Sequence, residues 1–174
     1  MKLVVKRLFD DVKMPEKAHG AESKNSGFDL FNYRFVGLYN MRGYSDLTGT
    51  ERSTISLAPN DRIVIGTGLK ARVDTSRTSW DAFCSMNDVT WELQVRSRGG
   101  TATKRGLAIT LGVGTVDNNY SGEIFVVVNN TSPQTQDVEL GERLAQLVPC
   151  LVGLPTIVEG TVGAVDSRGD GTIE

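Results

Sequence analysis

Histidine is almost missing from this 174-residue chain. His19 is the only one, so neither a His/Cys zinc cluster nor a Ser–His–Asp triad can be assembled convincingly. Cysteine is nearly as scarce. Cys84 and Cys150 are too few for a disulfide framework, and neither has an identifiable basic partner that would make it a nucleophile. A reducing compartment is the default reading, with a single bridge left open. Strong charge of one sign is also lacking: 19 Lys and Arg stand against 21 Asp and Glu, a net −2. That leaves no broad basic field and argues against nucleic-acid binding. No stretch approaches a membrane span. The first apolar run, beside Lys2, Lys6 and Arg7, is too short for the core of a signal peptide. The expected location is therefore the cytoplasm, or a host cytoplasm for a viral protein. Helix-length periodic segments and internal repeats are absent as well.

What remains is a chain with 19 glycines and many Val, Ile and Thr residues. It reads as all-β with tight turns, and its length suits one domain. Alternating or apolar runs mark strands near residues 3–9, 27–30, 54–57, 62–65, 69–73, 90–95, 107–130, 136–140 and 143–148. Residues 31–52 read as a surface loop or loose hairpin, and residues 74–87 as a second long loop carrying Trp80 and Phe83. Residues 101–105 have room for one short helix, capped by Thr101 or Ser97. The expected architecture is a closed or nearly closed jelly-roll-like β-barrel over residues 1–162, followed by a flexible arm at 163–174.

Three places can carry chemistry. Residues 107–130 read as two apolar strands joined by a turn holding Asp117, Asn118, Asn119 and Tyr120. With no histidine at hand, Asp117 is the best single general base, able to orient and deprotonate a water. The bland reading is that these residues only build the turn. Arg96, Ser97 and Arg98, beside Gly99 and Gly100, suit phosphate through guanidinium forks, a hydroxyl and backbone N–H groups. The bland reading is a solvated basic turn. Asp29, between apolar neighbours, either closes an Asx-type turn or brings a carboxylate to a site rim.

These motifs resemble, in order and over nearly the whole chain, those of trimeric dUTPases. The first is Gly27–Phe28–Asp29–Leu30 and the second Ile65–Gly66–Thr67–Gly68–Leu69. The third and most specific runs from Gly112–Val113–Gly114–Thr115–Val116–Asp117 through Asn118–Asn119–Tyr120–Ser121–Gly122–Glu123. The fourth is Gly141–Glu142–Arg143–Leu144–Ala145–Gln146–Leu147. The resemblance implies hydrolysis of dUTP to dUMP and pyrophosphate, assisted by Mg²⁺ with no direct protein ligand. It also implies a homotrimer with shared active sites. Asp117 falls on the water-activating residue and Tyr120 on the tyrosine that packs against deoxyribose. Backbone near Leu111, Gly114 and Thr115 falls on the uracil-reading segment. Arg96, Ser97, Arg98 and Gln146 fall on phosphate contacts, and Asp29 on the architecture of the metal's water shell.

The chain departs from the family pattern in several places. The span from Arg96–Ser97 to Lys104 is two residues longer than usual, so either Arg96–Ser97 or Arg98–Gly99 fills the Arg–Ser position, with the former keeping the hydroxyl. Asn119 replaces an acid. The fifth motif is at most Arg168–Gly169–Asp170–Gly171–Thr172, without its base-stacking phenylalanine. Arg168 would still reach the γ-phosphate, and Trp80 or Phe83 is the nearest replacement for the ring. A dCTP deaminase of the same superfamily is the nearest rival enzyme, but the position of its catalytic Glu holds Val127 here. The remaining alternative is a non-catalytic nucleotide-binding or regulatory trimer on the same scaffold.

Overall fold

The structure, a computed structural model, describes residues 1–20, 22–76, 78–110 and 112–160. Its strands in chain order are β1 (Lys2–Arg7), β2 (Glu16–Lys17), β3 (Phe28–Phe31), β4 (Arg34–Asn40), β5 (Gly43–Asp46), β6 (Thr54–Leu57), β7 (Arg62–Gly66) and β8 (Leu69–Asp74). Helix α1 (Ser79–Met86), β9 (Val89–Ser97), helix α2 (Gly99–Arg105), β10 (Leu107–Ile109), β11 (Val113–Asp117), β12 (Phe125–Asn130), β13 (Gln136–Glu139) and β14 (Arg143–Gly153) follow.

Alternation places the core. In β7, Ile63 and Ile65 turn inward, and in β12 Val126 and Val128 do the same. Leu93 and Val95 of β9 and Leu147 of β14 face them in one cluster. Each such side chain, fully buried, is worth about 1.5–3 kcal/mol relative to exposure. One antiparallel sheet runs β10-β12-β7-β4-β5 and the other β11-β9-β14-β3-β2. The pairs β1-β8 and β6-β13 close the flanks, contributing Leu69, Val73, Leu57 and Val138 to the same core.

The fold is thus β-rich and jelly-roll-like, but both five-stranded sheets have free edges and no barrel closes. Two short helices are present among the described residues, where one was expected. The segment read as a polar loop contains α1, because Trp80 and Phe83 fall three apart and share a helix face. Residues 31–52 form a true hairpin, with β4 pairing both β5 and β7. Neither expected cap serves α2: its N-cap is Arg98 without a side-chain bond, while the Ser97 hydroxyl accepts the Ile109 N–H at 2.9 Å. At the other end Gly106, at φ 67°, supplies the left-handed turn that stops the helix.

The expected central hairpin is also more divided than its sequence implies. Leu107 pairs Asn130 and Ile109 pairs Val128, so β10 and β12 do lie side by side. Between them β11 leaves that sheet and pairs with β9 in the other. The glycine-rich excursion therefore bridges the two sheets and carries Asp117 out to an end of the second.

Candidate active site

One cluster is built where β3, β14 and β9 run together. Asp29 pairs Gln146, and Gln146 pairs Arg96, in one transverse row. Asp29 is almost fully buried, which is tolerable only for a paired charge. Its Oδ1 accepts Arg98 Nε at 2.7 Å and its Oδ2 accepts Arg143 Nη1 at 3.3 Å. Arg98 also donates to the Arg143 carbonyl at 3.2 Å. Gln146 Nε2 donates to the Ser97 carbonyl at 3.0 Å, and its side chain lies so close over Gly27 that a Cβ there would collide with it. The Ser97 hydroxyl, having accepted one N–H, keeps its own proton to donate.

Arg96 points along a different polar line. Its guanidinium donates to Gln94 Oε1 and lies 3.4 Å from Cys150 Sγ, and Gln94 in turn donates to Glu92 at 2.5 Å. Of the two arginines, Arg98 is the one whose side chain joins Asp29. Arg143, quoted in the sequence motif but given no duty there, completes that cluster. It also lines a cavity of about 580 Å³ with Lys17, His19 and Phe28.

The second cluster is the turn after β11. Asp117 ends that strand opposite Glu92, and the Tyr120 N–H closes the turn on the Asp117 carbonyl at 2.9 Å. Tyr120 is half exposed, its hydroxyl donates to the Glu123 carbonyl at 3.0 Å, and the hydroxyl end of its ring lies close against Gly122. Glu123 takes a fork from Arg34 at 2.7 and 2.5 Å and also accepts the Gly68 N–H at 2.7 Å. The base of the turn is therefore anchored to β4 and to the start of β8. Thr115 is exposed on β11 with half-buried Gly114 beside it. A cavity of about 640 Å³ opens between Asp117, Asn118, Asn119, Glu92, Trp91 and residues 152–154. Another, of about 690 Å³, lies on the far side of the turn between Tyr120 and Lys6, Lys70 and Arg72.

Trp91 is the residue that the sequence reading passed over as an ordinary strand position. It lines the Asp117 cavity, and Trp80 of α1 packs edge-on against it with centroids 5.5 Å apart. Phe83 meets Trp80 edge-on as well, with centroids 5.5 Å apart. Alternation in β9 turns Trp91 to the face opposite Glu92, the partner of Asp117, so nothing in the strand pattern marks it for this cavity.

The two clusters do not meet within one chain. Asp117 stands opposite Glu92 and Val113 opposite Arg96, so four residues of strand, about 13 Å, separate Asp117 from the Arg96 row. Asp29 lies three strands across from β11, a further ~14 Å at right angles. Leu111 and Arg168, and with them the arm at 163–174, lie outside the described residues. Among the described residues no three His, Cys, Asp or Glu side chains gather as a metal site, and both Asp29 oxygens are taken by guanidinium groups. This donor set fits an ion carried on the phosphates of a ligand, not one caged by protein. No described helix is long and apolar enough to cross a membrane.

The family model for dUTPase matches residues 67–169. Over 171 residues the chain is 30% identical to a deoxyuridine 5'-triphosphate nucleotidohydrolase of Hydrogenobaculum sp., covering 98% of this chain and 94% of that one. A protein of the same name from Chlamydia pneumoniae is 34% identical over 148 residues, 84% of this chain and 90% of that one. Among solved structures, the dUTPase of Staphylococcus bacteriophage 80alpha with dUpNHpp superposes with a TM-score of 0.67 at 20% identity, covering 99% of this chain and 96% of that one. A variant dUTPase of phage phi11 of S. aureus, described with a structural Mg(II) ion, gives 0.60 at 20% identity, covering 96% and 100%. The family model spans the excursion together with Arg96 and Gln146 of the row, the Hydrogenobaculum match extends over Asp29 as well, and the chain belongs to the dUTPase family.

Proposed function

We propose that this chain hydrolyses dUTP to dUMP and pyrophosphate, at sites completed between copies of a homotrimer. The observation that carries this reading is the turn from Asp117 to Tyr120. One short loop sets the Asp117 carboxylate beside a cavity of nucleotide size and the Tyr120 ring beside a second such cavity. Family membership supplies the substrate, since the relatives are named for it.

In this mechanism Arg96, Arg98, Ser97 and Gln146 bind the triphosphate, and Arg168 reaches its end. Asp117 orients a water and takes its proton as the oxygen attacks the α-phosphorus. The bond from that phosphorus to the bridging oxygen breaks, and pyrophosphate leaves. Mg²⁺ on the triphosphate supplies neutralisation of the charge that gathers on the leaving group. Tyr120 lies against C2′ and leaves no partner for a 2′-hydroxyl, which favours deoxyribose. Asp29 acts through Arg98 and Arg143, fixing where the cations stand. The distance between the clusters supports the shared site. About 13 Å of strand lies between Asp117 and the Arg96 end of the row, and the Asp29 end is farther still, whereas closed symmetry would let one copy's turn meet the next copy's row. The two cysteines are free, as suits the cytoplasm.

Purified protein with Mg²⁺ should release pyrophosphate from dUTP in strong preference to dCTP, dTTP and UTP, without releasing ammonia. Asp117→Asn should lower kcat by at least about a hundredfold, the usual worth of a general base. No pyrophosphate from dUTP, or full turnover by Asp117→Asn, would overturn the assignment.

A further inference from the structure

Asn118 follows Asp117 in the turn. An Asn in such a place ordinarily bonds to its own backbone two residues on. This one instead reaches β8, 45 residues upstream. Its Oδ1 accepts the Val73 N–H at 2.7 Å and its Nδ2 donates to the Val73 carbonyl at 3.0 Å. Val73 stands opposite Leu3 of β1, in a sheet of only two strands. Among the described residues, no strand pairs with the outer edge of β8 at this point. The Asn118 carboxamide fills the place of one residue of that missing strand, offering a donor and an acceptor as a peptide group does.

From this geometry we infer that Asn118 is a positioning residue for the proposed reaction and a determinant of sugar selectivity. The inference rests on the reading of Asp117 and Tyr120 given above. The turn has two independent anchors. Glu123 holds its far end to Arg34 and Gly68, and Asn118 holds its near end to Val73. Between them lie the Asp117 carboxylate and the Tyr120 ring. Without the clamp, the turn is held only by the last β11–β9 pair at one end and the Glu123 anchor at the other. Asp117 and Tyr120 then shift together, which lowers turnover and loosens the contact with C2′. A hydroxyl cannot replace the clamp, because its single oxygen cannot span both Val73 groups. Aspartate replaces half of it: a carboxylate accepts from the Val73 N–H but turns an oxygen toward the Val73 carbonyl.

The test compares wild type, Asn118→Ala and Asn118→Asp. The readouts are kcat and KM on dUTP and UTP, melting temperature, and hydrogen exchange of the Val73 amide. Asn118→Ala should lose about tenfold to a hundredfold in kcat, the scale of a small misplacement of a catalytic group. Its KM should change less, its preference for dUTP over UTP should fall, and its Val73 amide should exchange faster. Asn118→Asp should lie between it and wild type. Folded variants with wild-type kcat and an unchanged dUTP to UTP ratio would overturn the inference. Should the alanine variant not fold, the aspartate variant decides by the same readouts. A wild type inactive on dUTP would instead refute the underlying activity.

Discussion

At the scale of single residues, the account rests on what each site group is bonded to. Asp29 is buried between two guanidinium groups. Asp29→Asn removes the charge while keeping the shape, and leaves Arg98 and Arg143 facing each other. It should cost about 2–3 kcal/mol, the scale of hydrogen bonds to charged groups, measured as a drop in the denaturation midpoint. Gly122 makes a different point. A Cβ there would run into the Tyr120 ring. Gly122→Ala should therefore tilt that ring and reduce the preference for dUTP over UTP with little loss of global stability. Comparing kcat/KM on the two nucleotides checks it, and an unchanged ratio would remove Tyr120 from sugar discrimination. The roles of Asp117 and Tyr120 were proposed from the motif alone, because an acid and an aromatic spaced across a glycine-flanked turn are visible in one short string. The Asn118–Val73 and Arg34–Glu123 contacts were not legible. Their partners lie 45 and 89 residues apart, and no periodicity links them.

At the scale of elements, α1 and β8 stand behind the walls of the cavity beside Asp117, α1 through Trp80 against Trp91 and β8 through Val73 bonded to Asn118. Alternation foretold β7, β8 and β9 well, since each has one buried face. It failed for α1, which buries no residue and so shows no core-facing pattern. Trp80 nonetheless backs Trp91, which lines the cavity. If this aromatic stack replaces the ring missing from the C-terminal motif, Trp80→Ala and Phe83→Ala should raise KM for dUTP severalfold. Unchanged KM and selectivity in both would assign α1 another role. The junction between β8 and α1 is sensitive to acid. Asp74 accepts the Ser76 hydroxyl and N–H, which hold its carboxyl below the ordinary carboxylate range, with help from Arg72 and Lys2. A folded-state pKa below the unfolded one stabilises above the ordinary range, and that contribution is lost as pH falls through the folded value. Amide exchange at Ser76 should accelerate at low pH in wild type. In Asp74→Asn the acid-dependent part should be missing.

At the scale of the whole molecule, the chain carries two polar clusters on one sheet. The Asp117 turn sits at the end of β11, and the row of Arg96, Gln146 and Asp29 crosses the three strands beyond it. The sequence suggested a closed or nearly closed jelly-roll-like barrel with one continuous hairpin. The structure instead has open sheets and an excursion that crosses between them, because β11 finds a longer partner in β9 than β10 or β12 offers. That crossing separates the Asp117 carboxylate from the Arg96 and Gln146 row, and the proposed reaction then calls on a second copy to bring the two together. The most direct measurement is therefore a mixing experiment. Asp117→Asn and Arg98→Gln are each prepared as folded, inactive assemblies, then dissociated, combined in equal amounts and reassembled. Sites shared between copies predict recovery of about a quarter of wild-type turnover, since random assembly makes one site in four intact. No recovery from properly reassembled mixtures would contradict the shared site and place the whole reaction within one chain.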